Sequence, residues 1–154
     1  RLLCLENTVA GHVQSAETIT ELAAVGRAHG LAVHLDGARL MNAAVKLGIP
    51  AAKLVAGVDT VSLCLSKGLG TPAGSVLVGP ADFIRRAHRM RKLVGGGMRQ
   101  IGVLAAAGIH ALDHHVDRLA AGRPEDAKPL GIVGVGAARV AVELLAAQIA
   151  ERSA

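Results

Sequence analysis

Val61-Ser62-Leu63-Cys64-Leu65-Ser66-Lys67-Gly68-Leu69-Gly70 sets an apolar run directly against a lysine and two glycines. The run has the length and side chains of a buried strand, here expected over Thr60–Ser66, and the glycines close it. A second run, Ala32–Asp36, ends on an acid followed by Gly37, and Leu2–Glu6 and Ser75–Val78 complete four strand candidates. Between the first two lies Ala16–His29, with Ile19, Leu22, Ala23 and Gly26 on one helical face. Thr18 and Glu21 offer a capping box for this helix and Gly30 a stop. Arg39–Leu47 reads as the next helix, stopped by Gly48, with Pro50 opening a further turn. Strand, helix, strand, helix, strand is the pattern of right-handed parallel crossovers. Gly68 to Gly74 is too short for such a crossover, so Ser75–Val78 is expected to run antiparallel to its partner. Pro80 starts a helix reaching about Leu93, Gly95-Gly96-Gly97 breaks it, and a second helix is expected from Gln100 to about Leu119. The expected fold class is α/β, a mostly parallel sheet with one antiparallel strand and flanking helices.

Composition narrows the function classes. Of 154 residues, 51% are hydrophobic but only one is aromatic (a Phe), so the core is aliphatic, as suits a parallel sheet under helices. No apolar stretch approaches the roughly 18 uncharged residues of a membrane span, so no membrane partner is expected. Net charge is +5, concentrated in Arg85-Arg86-Ala87-His88-Arg89-Met90-Arg91-Lys92. No aromatic stacking partners interleave with these cations, which favours a solvated helix face over nucleic-acid binding. Cys4 and Cys64 each fall in an apolar strand pattern, where a thiol behaves as a small hydrophobe. Two lone cysteines make neither a disulfide framework nor a metal cluster, and a cytoplasmic setting fits.

In an open parallel sheet, ligands bind beyond the carboxyl ends of the strands, which is where Asp36 and Lys67 fall. A lysine at the end of a buried strand is driven towards its neutral, nucleophilic form by desolvation. Lysine for an imine and aspartate for a pyridinium nitrogen is how proteins hold pyridoxal 5'-phosphate. Arg39 starts the following helix within reach of an anion or phenolate oxygen. The plainer alternative is a salt-bridged strand end, Asp36 to Arg39 or to Lys67, and spacing alone leaves it open.

Residue identities add a resemblance. His34-Leu35-Asp36-Gly37-Ala38-Arg39-Leu40, Ser62-Leu63-Cys64-Leu65-Ser66-Lys67-Gly68-Leu69-Gly70 and Gly95-Gly96-Gly97-Met98-Arg99-Gln100 resemble the L-threonine aldolase family. Leu5-Glu6-Asn7-Thr8 and Pro72-Ala73-Gly74-Ser75-Val76-Leu77-Val78-Gly79 match it too, and the resemblance runs from about Leu3 to about Leu119. It implies the large domain of a fold-type I pyridoxal-phosphate enzyme that cleaves L-threonine or L-allo-threonine to glycine and an aldehyde. It implies that Lys67 forms the imine with the cofactor and that Asp36 keeps the pyridine nitrogen protonated. Arg39 would contact the cofactor ring's oxygen or the substrate side, and Arg99 would lie near the phosphate or a neighbouring subunit. A small amino-acid substrate and a homo-oligomer in the complete family form follow from the same resemblance.

Two departures accompany the match. Family members carry a His after Glu-Asn-Thr where this chain has Val9, and the family's phosphate-binding loop and ring-stacking His fall before Arg1. The expected organisation is therefore residues 1–119 as the central part of a large domain and 120–154 as a divergent tail with a helix over 137–150. The rival reading is a catalytically inactive fragment or degenerate relative, serving as a scaffold or interaction piece. Gly134-Val135-Gly136-Ala137-Ala138-Arg139 half-matches a dinucleotide fingerprint but lacks its third Gly. His110-Ala111-Leu112-Asp113-His114 resembles an inverted zinc-protease motif with Asp where Glu is needed, and reads better as a solvated helix flank. His12, His29 and His88 read as surface positions, while His34 shares a strand face with Asp36. A part-sheet exposes apolar edges. Light scattering should therefore show self-association of the isolated chain, and a monodisperse monomer would contradict this.

Overall fold

A computed structural model describes residues 1–121. Strand β1 (Leu2–Glu6) is followed by helix α1 (Ala16–Ala28), β2 (Ala32–Asp36), α2 (Leu40–Leu47), the short α3 (Ala51–Leu54) and β3 (Thr60–Cys64). Then come β4 (Ser75–Val78), α4 (Ala81–Leu93), α5 (Gly102–His114) and a 3₁₀ turn over Asp117–Ala120. The four strands form one sheet in the order β1-β2-β3-β4. The first three are parallel, with Leu5 opposite Leu35 and Leu35 opposite Val61, and β4 pairs antiparallel to β3 with Val76 opposite Leu63. The expected fold class is the observed one.

Alternation along the strands sorts the sheet into two faces. Leu3, Leu5, Val33, Leu35, Val61, Leu63 and Val76 share one face by register, and this is where the core sits. Helix α1 lays Ile19, Ala23 and Gly26 against it. A Cβ on Gly26 would stand 2.8 Å from Leu3 Cδ2 and 3.3 Å from Val33 Cγ2, so the missing side chain lets helix and sheet meet closely. From α2, Leu40, Met41, Ala43 and Ala44 are buried, and Leu54 of α3 is fully enclosed. Helix α5 adds Ala111 and Leu112, with Gly108 against Leu65.

The other face is less covered. Cys4, Glu6 and Asp36 are exposed and His34 is half-buried, its Nδ1 2.8 Å from Thr60 Oγ1. Cys4 therefore does not serve as a core hydrophobe, and along β1 and β2 the described residues clothe the sheet on one side only. Helix α4 has no buried residue, which suits the expected solvated basic face.

Several boundaries differ from expectation for local reasons. Strand β3 ends at Cys64: the Leu65 N–H still donates in register to Gly74 O, but the Leu65 carbonyl accepts from Thr71 N, which closes the turn and stops the ladder. Helix α1 is capped by Ser15, whose Oγ accepts from Thr18 N at 3.2 Å, so the Thr18–Glu21 box lies inside the helix and does not start it. Leu22, expected on the packed face, is 43% exposed. The expected helix from Gln100 to Leu119 is α5 followed by the separate 3₁₀ turn. His12, His29 and His88 are exposed, as are His110 and His114. The helix expected over 137–150 and the glycines at 134 and 136 lie outside the described residues.

Asp59 ties the start of β2 to its neighbours. Its backbone N–H donates to Val33 O at 2.9 Å, its Oδ2 accepts from Val33 N at 2.7 Å, and its Oδ1 lies 3.3 Å from Arg27 Nη2 on α1. The Val33 N–H, with Arg27 beside it, holds the Asp59 carboxyl below the usual carboxylate range against a smaller opposing effect of burial. A depressed folded pKa adds stability above the unfolded pKa and loses it as pH falls through the folded one. Asp59→Asn should therefore be less stable than the parent at pH 7. In urea titrations the difference should shrink as pH drops below about 4; a gap that stays constant with pH would count against this linkage.

Candidate active site

The carboxyl edge of the parallel strands is where candidate residues gather. Beyond β1 the chain continues the ladder, Asn7 N donating to Asp36 O at 2.9 Å, and beyond β2 Gly37 N donates to Ser62 O at 2.8 Å. Asn7 is fully buried, and its side chain closes the next loop by giving Nδ2–H to Gln14 O (3.0 Å) and taking Gln14 N–H on Oδ1 (3.1 Å). These bonds leave no buried amide of Asn7 unpaired, which fixes the loop beside the edge.

Asp36 is the last residue of β2, opposite Glu6 on β1 and Ser62 on β3. Its Oδ1 accepts from Ala38 N at 3.0 Å and lies 3.5 Å from Ser62 Oγ. The first bond is an Asx-type turn, which sets the carboxylate over the start of the chain leading into α2. No hydrogen bond among the described residues reaches Oδ2, so one carboxylate oxygen remains able to accept from a ligand. Gly37 is needed where it stands, since a Cβ there would lie 2.9 Å from Ser62 O and 3.1 Å from Val61 Cγ1.

Lys67 lies three residues beyond Cys64, in the loop from β3 to β4. Its carbonyl accepts from Gly70 N at 2.9 Å, and Gly70 takes φ +73, a conformation that favours glycine. On one flank Leu69 is buried, and on the other Leu65. A Cβ on Gly68 would stand 2.8 Å from both Asn42 Oδ1 and Leu119 Cδ2. The turn is thus packed between α2 and the 3₁₀ turn while the lysine side chain itself is exposed. Burial within the described chain does not supply the desolvation that the apolar run had suggested.

The salt-bridged strand end is not what forms. Among the described residues the ion pairs are Arg27–Asp59 and Arg86–Asp82, and none joins Asp36 to Arg39 or to Lys67. Arg39 is exposed at the N-cap position of α2, with no side-chain capping bond. Arg99 is exposed in the connection between α4 and α5, and no hydrogen bond ties it to the other three. Asp36 and Lys67 therefore leave neighbouring parallel strands at one edge, Arg39 follows three residues after Asp36, and Arg99 comes from a separate segment. Ser62 and the Asn7 loop were not singled out from sequence. Ser62 is a polar residue in an otherwise apolar run, but only the register shows that it faces Asp36.

An exposed amine and a carboxylate oxygen, neither with a partner among the described residues, and a cation at the start of α2 are the kinds of group that suit a ligand with an aldehyde, a basic ring nitrogen and anionic oxygens. Pyridoxal phosphate has all three, and these residues fit it.

Comparison with known proteins points the same way. The model of the beta-eliminating lyase family matches residues 1–142. Low-specificity L-threonine aldolase 1 of Arabidopsis thaliana is 51% identical over 122 residues, covering 77% of this chain and 34% of that protein. The low specificity L-threonine aldolase of Escherichia coli (strain K12) is 52% identical over 119 residues, covering 77% of this chain and 36% of its own. A solved structure from Exiguobacterium sp. 255-15, a candidate aromatic amino acid beta-eliminating lyase/threonine aldolase, superposes with a TM-score of 0.69 at 28% identity. It covers 76% of this chain and 34% of that one. The chain spans about a third of the length of the curated relatives it matches.

The Gly37 contact gives a test of the edge. Gly37→Ala should cost about 1–3 kcal/mol in a urea melt, because the added methyl meets a backbone carbonyl that cannot rotate away. A melt unchanged from the parent would show that the edge is looser than these distances require.

Proposed function

Because the chain belongs to the beta-eliminating lyase family, we propose that it carries the lysine-bearing edge of an aldolase for β-hydroxy-α-amino acids. The reaction is cleavage of L-threonine or L-allo-threonine to glycine and acetaldehyde, with pyridoxal 5'-phosphate as cofactor. One observation carries the reading: Asp36 ends one parallel strand and Lys67 follows the end of its neighbour, at the edge where open α/β sheets take their ligands. The 51% and 52% identity to threonine aldolases supports the choice of reaction. A cytoplasmic setting and a homo-oligomer are part of the same reading.

When bound, pyridoxal phosphate supplies a ring able to accept the electrons of a cleaved Cα–Cβ bond. Lys67 would hold the cofactor through its Nζ, the nucleophile for the aldehyde. Asp36, with Oδ1 held by the Ala38 N–H and lying 3.5 Å from Ser62 Oγ, would offer Oδ2 to the ring N–H. A carboxylate placed beside that N–H would favour the charged ring over the neutral one. Arg39 serves a ring oxygen or the substrate, and Arg99 serves the phosphate or a neighbouring subunit. Loss of the β-hydroxyl proton to a base accompanies bond cleavage.

A second reading, a non-catalytic piece acting through its surface, is favoured by the exposure of Lys67, Asp36, Arg39 and Arg99. Adding pyridoxal phosphate to the chain should produce an imine absorbance band that Lys67→Ala lacks. Aldehyde release from L-threonine should fall in that variant by on the order of 10²–10⁴-fold. A band with no aldehyde release would favour the second reading, and absence of the band would remove the cofactor from this chain.

A further inference from the structure

His115 is the one histidine that the sequence reading passed over, and it makes the longest-range side-chain bond at the candidate site. Its Nδ1 lies 2.8 Å from Leu69 O, across 46 residues. A carbonyl oxygen only accepts, so Nδ1 carries the proton and donates it. Leu69 is two residues beyond Lys67, is 2% exposed and belongs to the core. The same turn is closed by Gly70 N to Lys67 O at 2.9 Å and Thr71 N to Leu65 O at 3.2 Å. His115 is itself fixed at the end of α5, where its backbone N–H donates to Ala111 O at 2.8 Å and Ala111 is fully buried. The ring of His110 packs edge-on at 5.3 Å from the His115 ring.

From this arrangement we infer that His115 is a positioning residue for Lys67. The inference rests on the reading of Lys67 as the cofactor-bearing lysine. The Lys67 side chain is exposed and has no ion pair among the described residues, so nothing at its own tip sets where the amine points. Its direction is inherited from the backbone of the turn. Asn42 and Leu119 hold that turn by contact at Gly68, and among the described residues His115 supplies the one side-chain hydrogen bond to its backbone from another element. Losing that bond leaves the carbonyl of Leu69 without its donor and lets the turn that carries Lys67 sample other orientations. The lysine keeps its chemistry and loses its aim.

The test uses the full chain with His115→Ala, His115→Asn and Lys67→Ala. The first readout needs no cofactor: hydrogen exchange at the Gly70 and Thr71 amides. The second is the rate at which pyridoxal phosphate, trapped by borohydride, labels Lys67 as mapped by mass spectrometry. His115→Ala should speed exchange at the two turn amides, leave the α1 amides unchanged, and slow Lys67 labelling roughly fivefold, as expected for one lost hydrogen bond. His115→Asn keeps a side-chain N–H near the same place and should restore both. Parent-like labelling in His115→Ala, or no rescue by His115→Asn, overturns the inference while leaving the reading of Lys67 intact. If Lys67 of the unaltered chain takes no label although Lys67→Ala and the parent fold alike, the reading of Lys67 falls and the positioning role falls with it.

Discussion

Two backbone hydrogen bonds set the geometry of the carboxyl edge, Asn7 N to Asp36 O and Gly37 N to Ser62 O. They carry the ladder one residue past the end of β1 and of β2, so three chains leave the sheet still in register. The pleat then decides which way each side chain goes. With Leu35 committed to the core, Asp36 has to face the other side together with Glu6 and Ser62. A slip of one residue would bury the acid and expose Leu35, and fourteen buried residues of the core cluster oppose it. The position of the carboxylate is thus a by-product of hydrophobic packing on the far face. The absence of a side chain at Gly37 makes the arrangement feasible, because the chain crosses Ser62 O there at a distance no Cβ would tolerate.

Much of the fold was legible because strand ends coincide with changes of residue type. Leu2–Glu6, Ala32–Asp36 and Ser75–Val78 have the bounds that their apolar runs suggest. β3 is shorter because Leu65, although apolar and buried, serves the core from a loop. Burial and strand geometry part company there, and an apolar run reports only burial. The start of α1 at Ala16 is the expected one, but its cap was assigned to the wrong residue: Ser15 and Thr18 are both good caps, and only the extended backbone at Ser15 (φ −73, ψ 162) selects between them. The break after α5 has no strong sequence signal, since His114-His115-Val116 contains neither Gly nor Pro.

For the candidate site, residue types were easier to read than surroundings. Asp36 and Lys67 do lie on one edge, because parallel strands put all their carboxyl ends together. Their environment could not be inferred, since exposure depends on what lies against the polar face. Parallel sheets are ordinarily covered on both sides, and along β1 and β2 the described residues cover one. Ser62 and His115 escaped notice because their partners are 26 and 46 residues away in sequence. Local pattern carries no information about a contact that only register or helix packing creates.

The strands lie across the sheet in the order in which the chain produces them. Every pairing therefore joins consecutive strands, and none has to wait for a remote segment to arrive. The loop joining β3 to β4 is the shortest between paired strands, so its closure entropy is the smallest of the three. Each parallel crossover then adds one strand to an edge that already exists. For a mixed sheet this is an undemanding search, closer in character to zippering than to the long-range matching that slows most parallel topologies.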